Sequence, residues 1–179
     1  MAGVTGGDKL GSLLQGMASK LGSAKEVEVG FLPDARYPDG TLVAAIAAIQ
    51  EFGAPRKKIP PRPFFRNMIR DKSPEWPEAI RGVLASVDYD AGKALAIVGD
   101  QIAGQLKQSI EGTFDPPLSP VTLMLRGMRT QAQFRGKRFG ELIRIARERV
   151  KAGETNFGPS TKPLVDTGDL LRSIDFVVK

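Results

Sequence analysis

One long stretch of the chain repeats apolar residues at helical spacing. Between residues 90 and 110 the apolar side chains recur every three or four positions, which places them on one face of a helix. Asp90 is a favourable N-cap at the start, and Gly112 is a favourable stop at the end. The pattern predicts a long helix whose apolar members are Ala91, Ala94, Leu95, Val98, Ile102, Leu106 and Ile110.

Two short stretches alternate with a period of two instead. Residues 26–31 place two valines and a phenylalanine on one side and two glutamates on the other, and near the end of the chain Ile174, Phe176 and Val178 alternate with Asp175 and Lys179. Half-buried strands have this pattern. Because long helices separate the two strands, we expect an α+β fold: a small, mainly antiparallel sheet packed against the long helix, with additional short helices.

Caps, glycines and prolines indicate the shorter helices. A helix is predicted over residues 42–52, with Thr41 as its cap and Gly53 as its stop, and its apolar composition predicts burial on most sides. The other short helical segments are predicted at residues 64–68 after Pro63, at 73–86, at 139–151, and at a turn with Leu170 and Leu171 capped by Thr167.

The first 24 residues are rich in glycine, serine and alanine. A helix over Lys9–Leu21 fits the spacing of the leucines, but each interior glycine costs about 1 kcal/mol relative to alanine. We therefore expect a flexible arm over residues 1–24 that orders against a partner or the protein body, followed by one domain over residues 25–179. The proline-containing stretches at 113–120 and 153–163 are expected to be loops.

Two residue types are missing: none of the 179 residues is cysteine or histidine. This excludes disulfides, thiolate nucleophiles, the Ser-His-Asp triad and metal sites built on Cys or His. Two carboxylate pairs, Asp88 with Asp90 and Asp166 with Asp169, suit helix capping better than acid–base work or cation binding. We expect a protein that is not an enzyme and that uses no cofactor and no metal.

Positive charge is concentrated in one segment. The formal net charge is +6, from 26 basic and 20 acidic residues. Residues 126–151 hold nine bases against Glu141 and Glu148, so this segment carries +7 and the rest of the chain carries −1. Such a surface attracts DNA phosphates or acidic proteins. The residues expected to contact a partner or DNA are Arg126, Arg129, Arg135, Lys137, Arg138, Arg144, Arg147, Arg149 and Lys151.

Three stretches together resemble a known family. They are residues 43–65, which include EFGA and IPPRPFF, residues 117–123 (PLSPVTL) and residues 164–174 (LVDTGDLLRSI). In this order they resemble the tail-completion, or virion morphogenesis, proteins of tailed bacteriophages, over residues 27–179. The stretch from residue 126 to residue 156 is longer and more basic than the corresponding link in that family.

The resemblance implies a structural virion protein that completes the tail or joins it to the head at the neck. It would assemble in the host cytoplasm as a homo-oligomeric ring and contact a connector, tail terminator or tail tube, with no membrane partner. In a ring, each contact between subunits joins two unlike surfaces. The residues expected at this contact are Arg56, Lys57, Lys58, Pro61, Arg62, Phe64 and Phe65.

A DNA-binding protein that uses residues 126–151 is the alternative interpretation. The two interpretations combine in a neck ring whose basic face lines a channel for packaged DNA.

Overall fold

A computed structural model describes residues 7–22, 24–31, 33–155, 157 and 160–179. The helices and strands, numbered in chain order, are α1 (Gly7–Leu21), β1 (Val27–Phe31), α2 (Val43–Phe52), α3 (Phe64–Lys72), α4 (Trp76–Ser86), α5 (Ala91–Gly112), α6 (Pro120–Arg129), α7 (Phe139–Lys151), α8 (Asp169–Arg172) and β2 (Ile174–Val178). Single turns of 3-10 helix lie at Pro55–Lys57, Ser73–Glu75 and Ala132–Phe134.

The two strands form one antiparallel sheet. Val27 pairs with Val178, and the register continues to Phe31 opposite Ile174. This sheet packs against α5, the longest helix of the described residues. The predicted α+β architecture, with a small antiparallel sheet on a long helix and several short helices around it, is confirmed.

Helix α5 is the centre of the main core. Asp90 caps it as predicted, because its carboxylate accepts a hydrogen bond from the backbone N–H of Lys93 at 3.0 Å. The helix ends at Gly112, also as predicted. The buried side chains that surround α5 come from α2, α3, the loop before α8, α8 itself and the start of β2: Val43, Ala47, Phe64, Met68, Leu164, Leu170 and Ile174.

The sheet approaches α5 most closely at Gly99. A Cβ at this position would lie 2.7 Å from Cγ2 of Val27 and 2.8 Å from Cδ2 of Phe176. Gly104, five positions later on the same helix, has no neighbouring atom within 4 Å of the same point. A small residue at position 99 is therefore required for the packing of the sheet, whereas position 104 has no such requirement.

We expect Gly99→Ala to lower the free energy of unfolding by about 1–2 kcal/mol, because overpacking outweighs the better helix propensity of alanine. Gly104→Ala is the matched control, and we expect it to raise that free energy by about 0.5–1 kcal/mol. Urea denaturation followed by circular dichroism measures both changes. Equal stabilisation by the two substitutions would contradict this packing of sheet and helix.

Glu51, in the last turn of α2, is buried and caps the neighbouring helix α3. Its carboxylate accepts hydrogen bonds from the backbone N–H groups of Phe65 (2.9 Å) and Arg66 (3.2 Å), and from Nε of Arg66 (2.8 Å). The first N–H groups of a helix lack partners within the helix, and negative charge is favourable beside them. Glu51 therefore fixes the position of α3 relative to α2.

Two predicted caps are wrong. Leu42, not Thr41, occupies the N-cap position of α2, and no side chain caps that helix. Gly168, not Thr167, occupies the N-cap position of α8, with a φ of 83° that favours glycine. The predicted stop of α2 at Gly53 is confirmed, since this residue follows the last helical residue with a φ of 75°.

Helices α6 and α7 form a hairpin with a small core of its own. Met124, Met128, Phe134 and Ala146 are buried between them, and this cluster is separate from the core around α5. Helix α7 has the predicted bounds, but α6 was not predicted. The proline-rich loop ends at Ser119, because Ser119 caps α6 and a proline is favourable at its first position.

Helix α1 packs against α5, and Lys20 forms an ion pair with Asp88. This confirms the helix that the spacing of the leucines allows. Residues 1–6 and 23 lie outside the described residues, so the flexibility of the arm stays a prediction. None of the helices within the described ranges has the length and apolar character needed to cross a membrane.

Candidate functional site

Arg62 joins the first two of the three stretches that carry the family resemblance. Its side chain is buried, with 4% of the residue exposed. Nε donates to the carbonyl oxygen of Pro116 at 2.8 Å, Nη2 donates to that of Pro117 at 3.3 Å, and Nη1 donates to Oε1 of Gln50 at 3.2 Å. Burial lowers the pKa of Arg62, and the nearby charge of Arg126 lowers it further. Arg62 thus holds two segments of the chain together inside the protein, and its assignment to a subunit contact is wrong.

Arg126, on α6 just after the second stretch, bonds to the loop that leads into the third. Its Nη1 donates to the carbonyl oxygens of Ser160 (3.2 Å), Lys162 (2.7 Å) and Val165 (3.4 Å), and its Nη2 donates to that of Pro163 (2.9 Å). Only 9% of its side chain is exposed. Arg126 therefore ties the hairpin to the loop before α8, and its assignment as a DNA or partner contact is wrong.

Burial lowers the pKa of Arg126, and the negative charge of Asp166 partly opposes this effect. Nε of Arg126 lies 3.6 Å from the carboxylate of Asp166, and Arg129 pairs with the same carboxylate at 2.7 Å. Asp166 is therefore an ion-pair partner of two arginines on α6, rather than the helix cap that the sequence suggested.

A cleft of about 550 Å³ opens between α2, α6 and the segment around the start of α8. Its lining includes Tyr37, Gln50, Arg126, Arg129, Asp166 and Asp169. The pKa of Asp169 is lowered first by a hydrogen bond from the hydroxyl of Thr167 and then by one from Arg172. Burial raises the pKa of Tyr37, and the charges of Asp169 and Asp166 raise it further.

These shifts move the titrations of both Asp169 and Tyr37 further from neutral pH. A general acid or base works best with a pKa near the operating pH. In the same cleft Asp166 pairs with Arg126 and Arg129, so an ion-paired junction joins α6 to the loop before α8. Across the described ranges no group of three or more Asp and Glu side chains is placed to hold a metal ion.

Arg149 is held within the hairpin. Its guanidinium lies 5.0 Å from the ring centroid of Phe134, and its Nη1 lies 3.7 Å from the carboxylate of Glu154. A cation over an aromatic face is stabilised by the ring quadrupole. Arg149 thus contributes to the packing of the hairpin, and no local pattern distinguishes it from the other basic residues of the segment.

The remaining bases of the segment lie on the surface of the hairpin. Arg129, Lys137 and Arg144 form ion pairs with Asp166, Glu141 and Glu148. Four exposed bases have no ion-pair partner within the described part of the chain: Arg135, Arg138, Arg147 and Lys151.

The predicted subunit-contact residues divide between surface and interior. Phe64 is 1% exposed, and its ring packs edge-on against Phe31 with centroids 6.2 Å apart. Its assignment to a subunit contact is wrong, because the core around α5 already covers it. Phe65 is half-buried, and the exposed members of the set are Arg56, Lys57, Lys58 and Pro61.

The chain matches no family model, no curated protein and no solved structure. The resemblance to tail-completion proteins therefore stays a prediction that rests on the three stretches.

Proposed function

We propose that this chain is a structural protein of a tailed-bacteriophage virion, which completes the tail or joins it to the head as a homo-oligomeric ring. The observation that supports the proposal is that two buried arginines connect segments that belong to, or lie directly beside, the three stretches. Arg62 bonds the first stretch to Pro117 of the second. Arg126, three residues after the second, bonds to the loop that leads into the third and contacts Val165 and Asp166 within it. The residues that carry the resemblance thus form one structural unit.

The surface offers unlike apolar patches, as a ring requires. On α1, Leu13 and Leu14 are 60% and 56% exposed. A groove of about 260 Å³ lies elsewhere, between α2 and α3, and its lining includes Ala44, Ala48 and Phe52. Contact between two different patches on neighbouring subunits generates a closed ring when the rotation between subunits closes.

Phe52 and Phe139 provide a matched test of ring assembly. Both rings are largely exposed, at 65% and 70%, but Phe52 lies at the groove and Phe139 lies at the tip of the hairpin. We expect the purified chain to form rings of several subunits, visible by native mass spectrometry and negative-stain microscopy. Phe52→Ser should shift the population to monomer, whereas Phe139→Ser should leave the rings intact.

A chain that stays monomeric at every concentration, and that neither phage tails nor connectors recruit into a ring, would overturn the proposal. Its place in the virion is tested by labelling particles with an antibody against the chain. We expect label at the neck or the tail end, and label on the capsid shell or no label at all would contradict that position.

A further inference from the structure

The nine basic residues of the 126–151 segment have three different environments. Arg126 is buried and bonded to backbone carbonyls, and Arg149 is half-buried over an aromatic ring. Arg129, Lys137 and Arg144 are paired with carboxylates at the surface. Only the remaining four have both exposure and no ion-pair partner among the described residues: Arg135, Arg138, Arg147 and Lys151.

Two of these four bases lie on the second half of α7, and the other two precede that helix. Arg147 and Lys151 are one turn apart on α7, so their Cα atoms rise about 6 Å along the helix axis. Both side chains are exposed, and they lie about 100° and 140° around the helix from Ala146, which is fully buried against α6. Arg135 and Arg138 precede α7, in the loop that forms the tip of the hairpin.

The acidic residues of the hairpin do not neutralise the positive charge of these four bases, because they pair with other bases. Glu141 is paired with Lys137 at 2.6 Å, and Glu148 is paired with Arg144 at 2.8 Å. Each of these carboxylates is matched by a base of its own. The four remaining bases therefore present an excess positive charge to whatever approaches the hairpin.

We propose that this surface of the hairpin binds duplex DNA through its phosphates, without sequence preference. Protein–DNA interfaces are polar and strongly positive, whereas the centre of a protein–protein interface is apolar and poor in charge. The exposed residues of α7 beyond its first turn are Arg144, Arg147, Glu148 and Lys151, with no apolar side chain among them. Three of the four unpaired bases are arginines, whose planar guanidinium suits phosphate oxygens.

Duplex DNA fits this surface better than single strands do. Binding of single strands without sequence preference uses several aromatic side chains on which successive bases stack. The outward face of α7 has no such row, and Phe139 at the tip is the one largely exposed aromatic residue among the described residues of the hairpin. The inference does not depend on the proposed ring, since it concerns the surface of a single chain.

The test is the affinity of the purified chain for a fluorescent DNA duplex as salt is varied, measured by anisotropy. Four phosphate contacts release about four counterions, so the affinity should fall roughly 100-fold between about 50 and 200 mM salt. Absence of binding at the lowest salt concentration would overturn the proposal. Tighter binding to a single strand, or to polyglutamate of equal charge, would also overturn it.

Two quadruple variants of equal net charge test whether DNA binding depends on these four bases or only on the total charge of the chain. The first replaces the four unpaired bases: R135Q/R138Q/R147Q/K151Q. The control replaces four exposed bases outside the hairpin and outside the expected subunit contact: K25Q/R36Q/R81Q/K107Q. Both variants lower the formal net charge from +6 to +2.

We expect the hairpin variant to bind DNA at least roughly 30-fold more weakly at low salt, with a nearly flat salt dependence. The control should lose less than about 3-fold. All eight residues are exposed, so both variants are expected to fold, as circular dichroism will check. Equal losses in the two variants would show that the attraction follows total charge and would overturn the assignment to the hairpin.

Discussion

Replacing Arg126 with methionine is expected to lower the free energy of unfolding by about 3 kcal/mol. The substitution keeps the unbranched apolar stem and the helix propensity of the side chain but removes the donor to four backbone carbonyls, of which that of Val165 keeps a hydrogen bond from the hydroxyl of Ser160. Buried polar groups that lose a partner cost about 1–3 kcal/mol each, and part of this cost is recovered when water enters. Chemical denaturation measures the change in stability.

Arg129 provides a matched control on the same helix. It pairs with the same carboxylate as Arg126, that of Asp166, but 62% of its side chain is exposed. Exposed ion pairs contribute about 0–1 kcal/mol, so Arg129→Met should have a small effect. Hydrogen exchange should become faster over residues 160–166 in the Arg126 variant alone. Equal effects of the two substitutions would show that the hydrogen bonds of Arg126 do not hold the loop before α8 against α6.

Replacing Glu51 with alanine is expected to lower the free energy of unfolding by about 3 kcal/mol, the second large effect. The carboxylate accepts from two backbone N–H groups at the start of α3 and from a guanidinium. Hydrogen bonds to charged groups contribute about 1.5–3 kcal/mol, and loss of a helix cap costs about 0.5–2 kcal/mol. Thermal and urea unfolding both measure the loss.

Two further substitutions separate the charge of Glu51 from its shape. Glu51→Gln keeps one acceptor oxygen, so we expect about half of the loss seen with alanine. Glu78→Ala removes an exposed glutamate that pairs with Arg81 on α4, and its effect should stay below about 0.5 kcal/mol. A Glu51→Ala variant as stable as Glu78→Ala would contradict the capping role.

Periodicity predicted the parts of the fold whose burial is regular along the chain. The apolar spacing of α5 and the alternation in β1 and β2 each report one buried face, so their element types and approximate bounds follow from the sequence. The antiparallel pairing is confirmed, whereas its register depends on packing against α5 that no local pattern contains.

Helix α6 was missed although the sequence holds a signal for it. Ser119 followed by Pro120 is a typical helix start, and Val121, Met124, Leu125 and Met128 recur at helical spacing. The three prolines of the preceding stretch outweighed this pattern and favoured a loop. The start of a helix directly after a proline-rich loop is therefore best judged from its cap and first apolar residues together.

The roles of the buried charges could not be read from local sequence. Arg126 binds carbonyl groups 34 to 39 positions away, and Arg62 binds carbonyl groups 54 and 55 positions away. Every residue type has a backbone carbonyl, so the sequence does not show which carbonyl groups an arginine binds. In the sequence, a buried arginine that binds such groups is therefore indistinguishable from one that faces solvent. The charge of the segment was thus predictable, whereas the division of its bases between interior and surface was not.

The pairing of β1 with β2 has a consequence for synthesis of the chain on the ribosome. Glu28 and Lys179, which are linked by an ion pair at the end of the sheet, are 151 positions apart. Strand β1 therefore leaves the ribosome long before its partner exists, and its backbone groups and the face of α5 around Gly99 stay uncovered during that time. Helices form from local contacts and need not wait, so the sheet is the last part of the main core to be completed.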